Sequence, residues 1–211
     1  MSVYNTLATM INDDFVKFIG NKRLSVVYND IDDIMNGKIK DHMYYIVLQH
    51  YVSYHFPDKE FISDIIKFAG DDSILEIAAG QGLTSALLLA SDVDPATLAV
   101  TNEMSNVWNK ESGKDYLDIE DLDYLKALDK YAGHNVLMVL WPPQKSSLAA
   151  DSLKKFKGNK LIYSGHHRGG ATANDDFFDE LDSHWELTSS RMKTFTMETV
   201  NYFEFYTRII N

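Results

Sequence analysis

The sequence predicts an α/β chain. The expected architecture is a doubly wound, mostly parallel, seven-stranded sheet with an antiparallel edge pair, plus an N-terminal helical cap. Three observations predict it. After residue 70, short apolar runs alternate with helix-period segments, the pattern of a parallel sheet wrapped by helices. The run 135–141 is apolar on both faces apart from Asn135, as central parallel strands are. The C-terminal stretch alternates with period two, as antiparallel strands do.

The elements follow in order. Phe15, Phe18 and Ile19 share one helical face, and Met43, Ile46, Val47, His50, Tyr51 and Tyr54 share another over a longer stretch. Residues 1–57 therefore read as a helical cap or lid, and 58–211 as the sheet domain. Asp58 is placed to N-cap a helix with an apolar stripe of Phe61, Ile62, Ile65, Ile66 and Phe68, and Gly70 stands where a C′ residue belongs. Strands are expected at 73–78, 96–101, 116–119, 135–141 and 160–164. Helices are expected at 84–91, 122–131, 146–156 and 175–181. The tail, 185–192 and 201–209, reads as two antiparallel strands.

Composition narrows the function classes. The 211 residues include 20 Lys+Arg and 31 Asp+Glu, a net charge of −11, so the field repels phosphate backbones and anionic lipid. Non-specific nucleic-acid binding and membrane association are not expected. The lysines between Lys154 and Lys160 read as a solvated helix end complementing the macrodipole. Cysteine is absent, which excludes a disulfide framework, a thiolate metal site and a cysteine nucleophile. The longest apolar run, 86–90, is too short to cross a bilayer. The first residues carry no basic region followed by an apolar one, as a secretory signal would. A cytoplasmic protein is expected.

The most informative stretch is Ile74-Leu75-Glu76-Ile77-Ala78-Ala79-Gly80-Gln81-Gly82-Leu83: an apolar strand, a glycine turn, a helix start. Small residues let a ligand approach the backbone, and a helix N-terminus offers free N–H groups. In open parallel sheets ligands bind beyond the carboxyl ends of the strands. The dinucleotide fingerprint asks for Gly or Ala where Ser85 stands, and the Lys-Ser/Thr pair of a P-loop is missing. Glu76, inside the strand, disfavours a pyrophosphate and suits a ligand bearing positive charge.

These residues resemble the first motif of the class I (Rossmann-like) S-adenosylmethionine-dependent methyltransferases, over about residues 54–209. Glu76, Ala78, Gly80 and Gly82 occupy its acidic and glycine positions, with Ala78 in place of the commonest first glycine. The resemblance implies S-adenosylmethionine as cofactor, its methionine end held by Glu76, Ala78, Gly80, Gln81 and Gly82. It implies Glu103, at the end of the second strand, on the ribose hydroxyls, a pairing that suits a two-oxygen acceptor. Met104 would pack on the adenine, with Asp118 and its neighbour Ile119 beside it. After the fourth strand the family's amino methyltransferases carry Asp/Asn-Pro-Pro-aromatic. Here Trp141-Pro142-Pro143-Gln144 keeps the prolines and changes both flanking residues, which argues against adenine N-methylation.

Acceptor-side candidates are Trp141, His166 and Tyr54. Trp141 closes a substrate pocket or belongs to the core. His166, with His167, follows the fifth strand as a general base or as a surface polar residue. Tyr54, in Tyr54-His55-Phe56-Pro57, serves a lid or packs inside. The expected activity is methyl transfer to a small-molecule or protein acceptor. The alternatives are a non-catalytic binding or regulatory module with the same fold, and a nicotinamide-dependent oxidoreductase.

Overall fold

The computed structural model describes residues 53, 55–103, 115–196 and 199–210. Seven strands form one sheet among the described residues: β1 (Ile74–Ile77), β2 (Leu98–Asn102), β3 (Glu120–Asp121), β4 (Val136–Leu140), β5 (Lys160–Gly165), β6 (Trp185–Thr196) and β7 (Thr199–Arg208). Their order across the sheet is β3-β2-β1-β4-β5-β7-β6. β1 to β5 run parallel, while β7 is antiparallel to both β5 and β6. Six strands therefore point one way and β7 alone is reversed, which gives the expected antiparallel pair at the edge.

The helices divide between the faces. Helix α1 (Lys59–Ala69) and helix α2 (Leu83–Leu89) cover the face carrying Ile74, Val136, Met138, Ile162, Phe203 and Phe205. Helices α3 (Tyr124–Lys130), α4 (Leu148–Lys155) and α5 (Asp175–His184) cover the face carrying Leu75, Ile77, Leu137, Val139, Leu161 and Tyr163. Val136 to Val139 are all buried. A strand covered on both faces needs apolar residues at every position, and this strand has them.

Local rules fix α1 at both ends. Asp58 caps it, accepting from Phe61 N–H at 2.7 Å, and Gly70 takes φ +60° with its N–H on Ile66 O. The last carbonyls find a cation: Lys160 Nζ donates to Phe68 O at 2.8 Å and Ala69 O at 3.1 Å and pairs with Asp72 at 2.7 Å. That contact ties the helix end to the start of β5. Asp58 also receives both terminal nitrogens of Arg191 on β6, at 2.8 and 3.0 Å. Burial opposes its ionisation, but the Arg191 and Phe61 hydrogen bonds and the Arg191 and Lys193 charges outweigh it and hold the carboxyl below its ordinary range.

The expected third strand at 116–119 is displaced. Pairing with Thr101 and Asn102 is made by Glu120 and Asp121 instead. Tyr116 N–H donates to Gln81 O at 3.0 Å, and Leu117 and Ile119 lie against Gly82. Their alternation serves the glycine loop, and a short apolar run does not disclose which surface it covers. The terminal strands exceed their expected bounds, β6 running on to Thr196 and β7 starting at Thr199. In the lysine cluster Lys155 pairs with Asp129 at 2.6 Å, in the last turn of α4.

Candidate functional site

The sheet order reverses between β1 and β4: β2 and β3 extend from one side of that boundary, β4 and β5 from the other. Such a boundary opens a crevice at the carboxyl ends of the strands. The glycine loop leaves β1 on one side of it, and Trp141-Pro142-Pro143 leaves β4 on the other.

The loop winds through the left-handed region at alternate residues, with φ +51° at Ala78, +58° at Gly80 and +71° at Gly82. Gly82 N–H closes a turn on Ala79 O at 2.9 Å, and Ala79 N–H reaches Thr101 O at 3.1 Å. A Cβ at Gly82 would collide with Leu117 Cδ2, whereas one at Gly80 would meet nothing within 4 Å among the described residues. One glycine thus admits neighbouring protein, and the other faces open space. Ala78 adopts the same conformation with a Cβ, at a cost of about 1 kcal/mol. Beside the loop lies a cavity of about 620 Å³ lined by Asp115, Tyr116, Leu117, Asp118 and Ile119. Contacts bring Gln81 to Tyr116 and Gly82 to Leu117 and Ile119, although some 35 residues separate them in the chain.

Glu76 lies beneath this loop, 2% exposed. Its carboxylate accepts from Ser85 Oγ and from the Ser85 backbone N–H, in the first turn of α2. Burial dominates those bonds and pushes its pKa up to about 7. Glu103 is exposed at the carboxyl end of β2. Its neighbour Asn102 is buried, and Asn102 Nδ2 has no hydrogen-bond partner among the described residues. Met104 and Tyr54 lie outside the described residues, as does nearly all of the proposed cap.

Across the boundary, Trp141 has φ +51°. A bulky residue there is a rare outlier, held against a cost of order 1–3 kcal/mol. Its N–H donates to Ser164 O at 2.7 Å. Its Nε1 donates to Asn201 Oδ1 at 2.9 Å, and Asn201 Nδ2 donates to Ser164 Oγ at 2.9 Å. Ala173 N–H fixes Pro142 O at 2.9 Å, and Pro143 bridges to Thr172. The Trp141 ring meets the His166 ring at 5.3 Å.

His166 is pinned from several sides. Its N–H donates to Thr172 Oγ1 at 2.6 Å, its carbonyl accepts from Tyr163 OH at 2.7 Å, and its Nδ1 accepts from Ala171 N–H at 3.0 Å. Burial lowers its pKa, and a neutral ring accepting at Nδ1 carries its proton on Nε2. In this arrangement His166 offers a donor. His167 turns away, pairing with buried Glu204 at 2.7 Å and stacking on Tyr202 at 3.4 Å.

Asn201 and Ser164 were not legible as site residues. The one available signal is parity: Asn201 occupies an apolar-face register position of β7, shared with Phe203 and Phe205. His55 is a further such residue. It is buried edge-on against Phe61 and Phe203, with Nδ1 3.3 Å from Thr84 Oγ1 and Nε2 without a partner among the described residues. Burial takes its pKa down to about 3, against the attraction of Asp58.

No family model matches the chain, and no curated protein matches it. Similar solved structures include a protein of the NADB-Rossmann superfamily from Streptococcus agalactiae, 11% identical, covering 74% of this chain and 71% of that one, TM-score 0.47. TrmN from Thermus thermophilus is 11% identical and covers 70% of this chain, TM-score 0.44; the alignment spans 48% of its own length, about half. Magnesium protoporphyrin IX methyltransferase from Synechocystis PCC 6803, solved with bound S-adenosylmethionine, is 11% identical and covers 85% of this chain and 97% of that one, TM-score 0.46. Likenesses this distant assign no function to this chain. Its own strand order, with parallel β1 to β5 and a single reversed β7 inside the β6 edge, makes it a Rossmann-like α/β fold.

Proposed function

We propose that the chain is an S-adenosylmethionine-dependent methyltransferase acting on a small-molecule or protein acceptor. The observation that carries the reading is the open Gly80 loop at the sheet's reversal point, with the Glu76 carboxyl buried in the strand that leads into it and Glu103 exposed at the end of the neighbouring β2. The loop 78–83 and the segment 115–119 contain no Lys or Arg, so this donor set suits a cation-bearing ligand better than a pyrophosphate. The reversed β7 also departs from the all-parallel 3-2-1-4-5-6 order of the dinucleotide-binding fold, which disfavours the oxidoreductase alternative.

In this reading Glu76, Ala78, Gly80, Gln81 and Gly82 hold the methionine end. Glu103 takes the ribose, and Met104, Asp118 and Ile119 border the adenine. When bound, the cofactor supplies an activated methyl group on its sulfonium. The chain then has to orient the acceptor and exclude water. Trp141, with Tyr54 as the lid candidate, would wall the acceptor side. His166 would fix an acceptor lone pair through Nε2–H. The half-ionised Glu76 couples cation binding to proton release, so affinity should rise as pH passes 7.

Calorimetric titration with S-adenosylmethionine and S-adenosylhomocysteine, with NAD as control, tests the cofactor. Adenosyl binding without NAD binding is expected, and Glu103→Ala should weaken it by about 1.5–3 kcal/mol. No adenosyl binding would overturn the reading. A non-catalytic module is the second reading, favoured by Trp141 Nε1 being committed to Asn201 where an ionisable group would serve catalysis. Transfer of labelled methyl to any acceptor in a metabolite or protein extract would exclude it.

A further inference from the structure

β6 is twelve residues long and ends the sheet, so its outer rim has no neighbouring strand among the described residues. Such a rim is a template for another strand. The register with β7 assigns each β6 side chain to a face, because directly opposed residues share one. Leu187, Ser190 and Met192 oppose Tyr206, Glu204 and Tyr202, alternate residues of β7. Glu186, Ser189, Arg191 and Lys193 oppose Thr207, Phe205, Phe203 and Asn201 on the other face. The register shift between Leu187 and Ser189 is what places Leu187 and Met192, five residues apart, on one face. Both are exposed, at 49% and 56%.

Counted from Ser190 and passing over the bulged Thr188, the strand is complementary to its own reversal. Leu187 and Met192 stand two steps away on one face. Glu186 and Lys193 stand three steps away on the other. A two-fold axis normal to the sheet at Ser190 preserves faces and makes the strands antiparallel. It sets Met192 of one copy against Leu187 of the other, and Lys193 against Glu186, each contact occurring twice. The chain carries −11 overall, which opposes self-association at long range. Along β6 the charged side chains are Glu186, Arg191 and Lys193, so the cross-copy contact that the axis creates is between opposite charges, Lys193 and Glu186. Both cations also contact Asp58 and Glu60 within the chain, which holds them in place.

We propose that the outer rim of β6 is a homodimer interface, pairing antiparallel with a second copy about Ser190 to form one sheet through both copies. The inference rests on geometry alone and is independent of the methyltransferase reading.

The absence of cysteine makes the test specific. Light scattering across a dilution series should give twice the 24.1 kDa chain mass for the wild type. Ser190→Cys under mild oxidation should form a covalent dimer, while Ser183→Cys, exposed on α5, should not. Leu187→Lys with Met192→Lys, both at exposed positions, should halve the mass and leave the melting transition cooperative. A monomeric wild type, equal cross-linking of the two cysteine variants, or an unchanged mass in the lysine variant would each overturn the proposal.

Discussion

Glu76→Gln tests the electrostatics of the site through stability. Burial moves the Glu76 pKa from an ordinary 4.5 to about 7. In the window between those values the folded chain holds a proton that the unfolded chain has released. Stability is therefore highest below the unfolded pKa and falls as pH rises toward the folded one. At 1.36 kcal/mol per pKa unit, the loss between pH 5 and pH 8 is about 2.5 kcal/mol. Glutamine stays neutral, and its amide oxygen still accepts from Ser85, so the variant should lack this slope. For a chain of this size 1 kcal/mol moves Tm by roughly 2–4 °C. The gap between variant and wild-type Tm should thus shift by about 5–10 °C in favour of glutamine from pH 5 to pH 8. Calorimetric scans of both proteins across that range make the comparison, and titrations common to both cancel. Parallel Tm curves would refute the claim that Glu76 is held protonated by burial.

Three further outcomes are expected. Ala78→Gly removes the left-handed penalty at φ +51° but adds unfolded-chain entropy, and should stabilise by about 0.5 kcal/mol in urea denaturation; a loss of 1 kcal/mol or more would contradict the strain. Asp58→Ala removes a helix cap and the buried partner of Arg191, which keeps Glu60 at 2.8 Å; it should cost about 1–3 kcal/mol by the same assay, and a loss under about 0.5 kcal/mol would show the cap and the pair to be dispensable. For His55 the unfolded pKa of 6.5 exceeds the folded value of about 3, so its contribution is present above 6.5 and lost as pH falls. His55→Leu should remove about 3 kcal/mol of the destabilisation between pH 7.5 and pH 4, and an unchanged acid limb would refute its burial as a neutral ring.

The alternation of apolar runs and helix-period segments was enough to fix the parallel sheet, and the strand-turn-helix around Gly80 was enough to locate its loop. Both signals are local: an apolar strand and a small-residue turn are visible within ten residues. The cap of α1 at Asp58 and Gly70 was legible for the same reason. The segment 116–119 misled because its apolar residues cover Gly82 and not a neighbouring strand, a choice made by contacts some 35 residues away. His166 was legible as a candidate by its place after β5. Its donor character came from Ala171 N–H occupying Nδ1, a bond that no residue pattern announces.

Sequence by itself therefore determined the class of fold, the glycine loop and the acidic character of its surroundings. Those depend on residue type and spacing along the chain. The tertiary structure decided that Asn201 and Ser164 hold Trp141 in a left-handed conformation and that Glu76 is buried against Ser85. It also decided that β7 enters the sheet reversed and leaves β6 at the rim. Each of these depends on which distant segments share a face of the sheet, and chain folding sets that through burial and hydrogen-bond pairing.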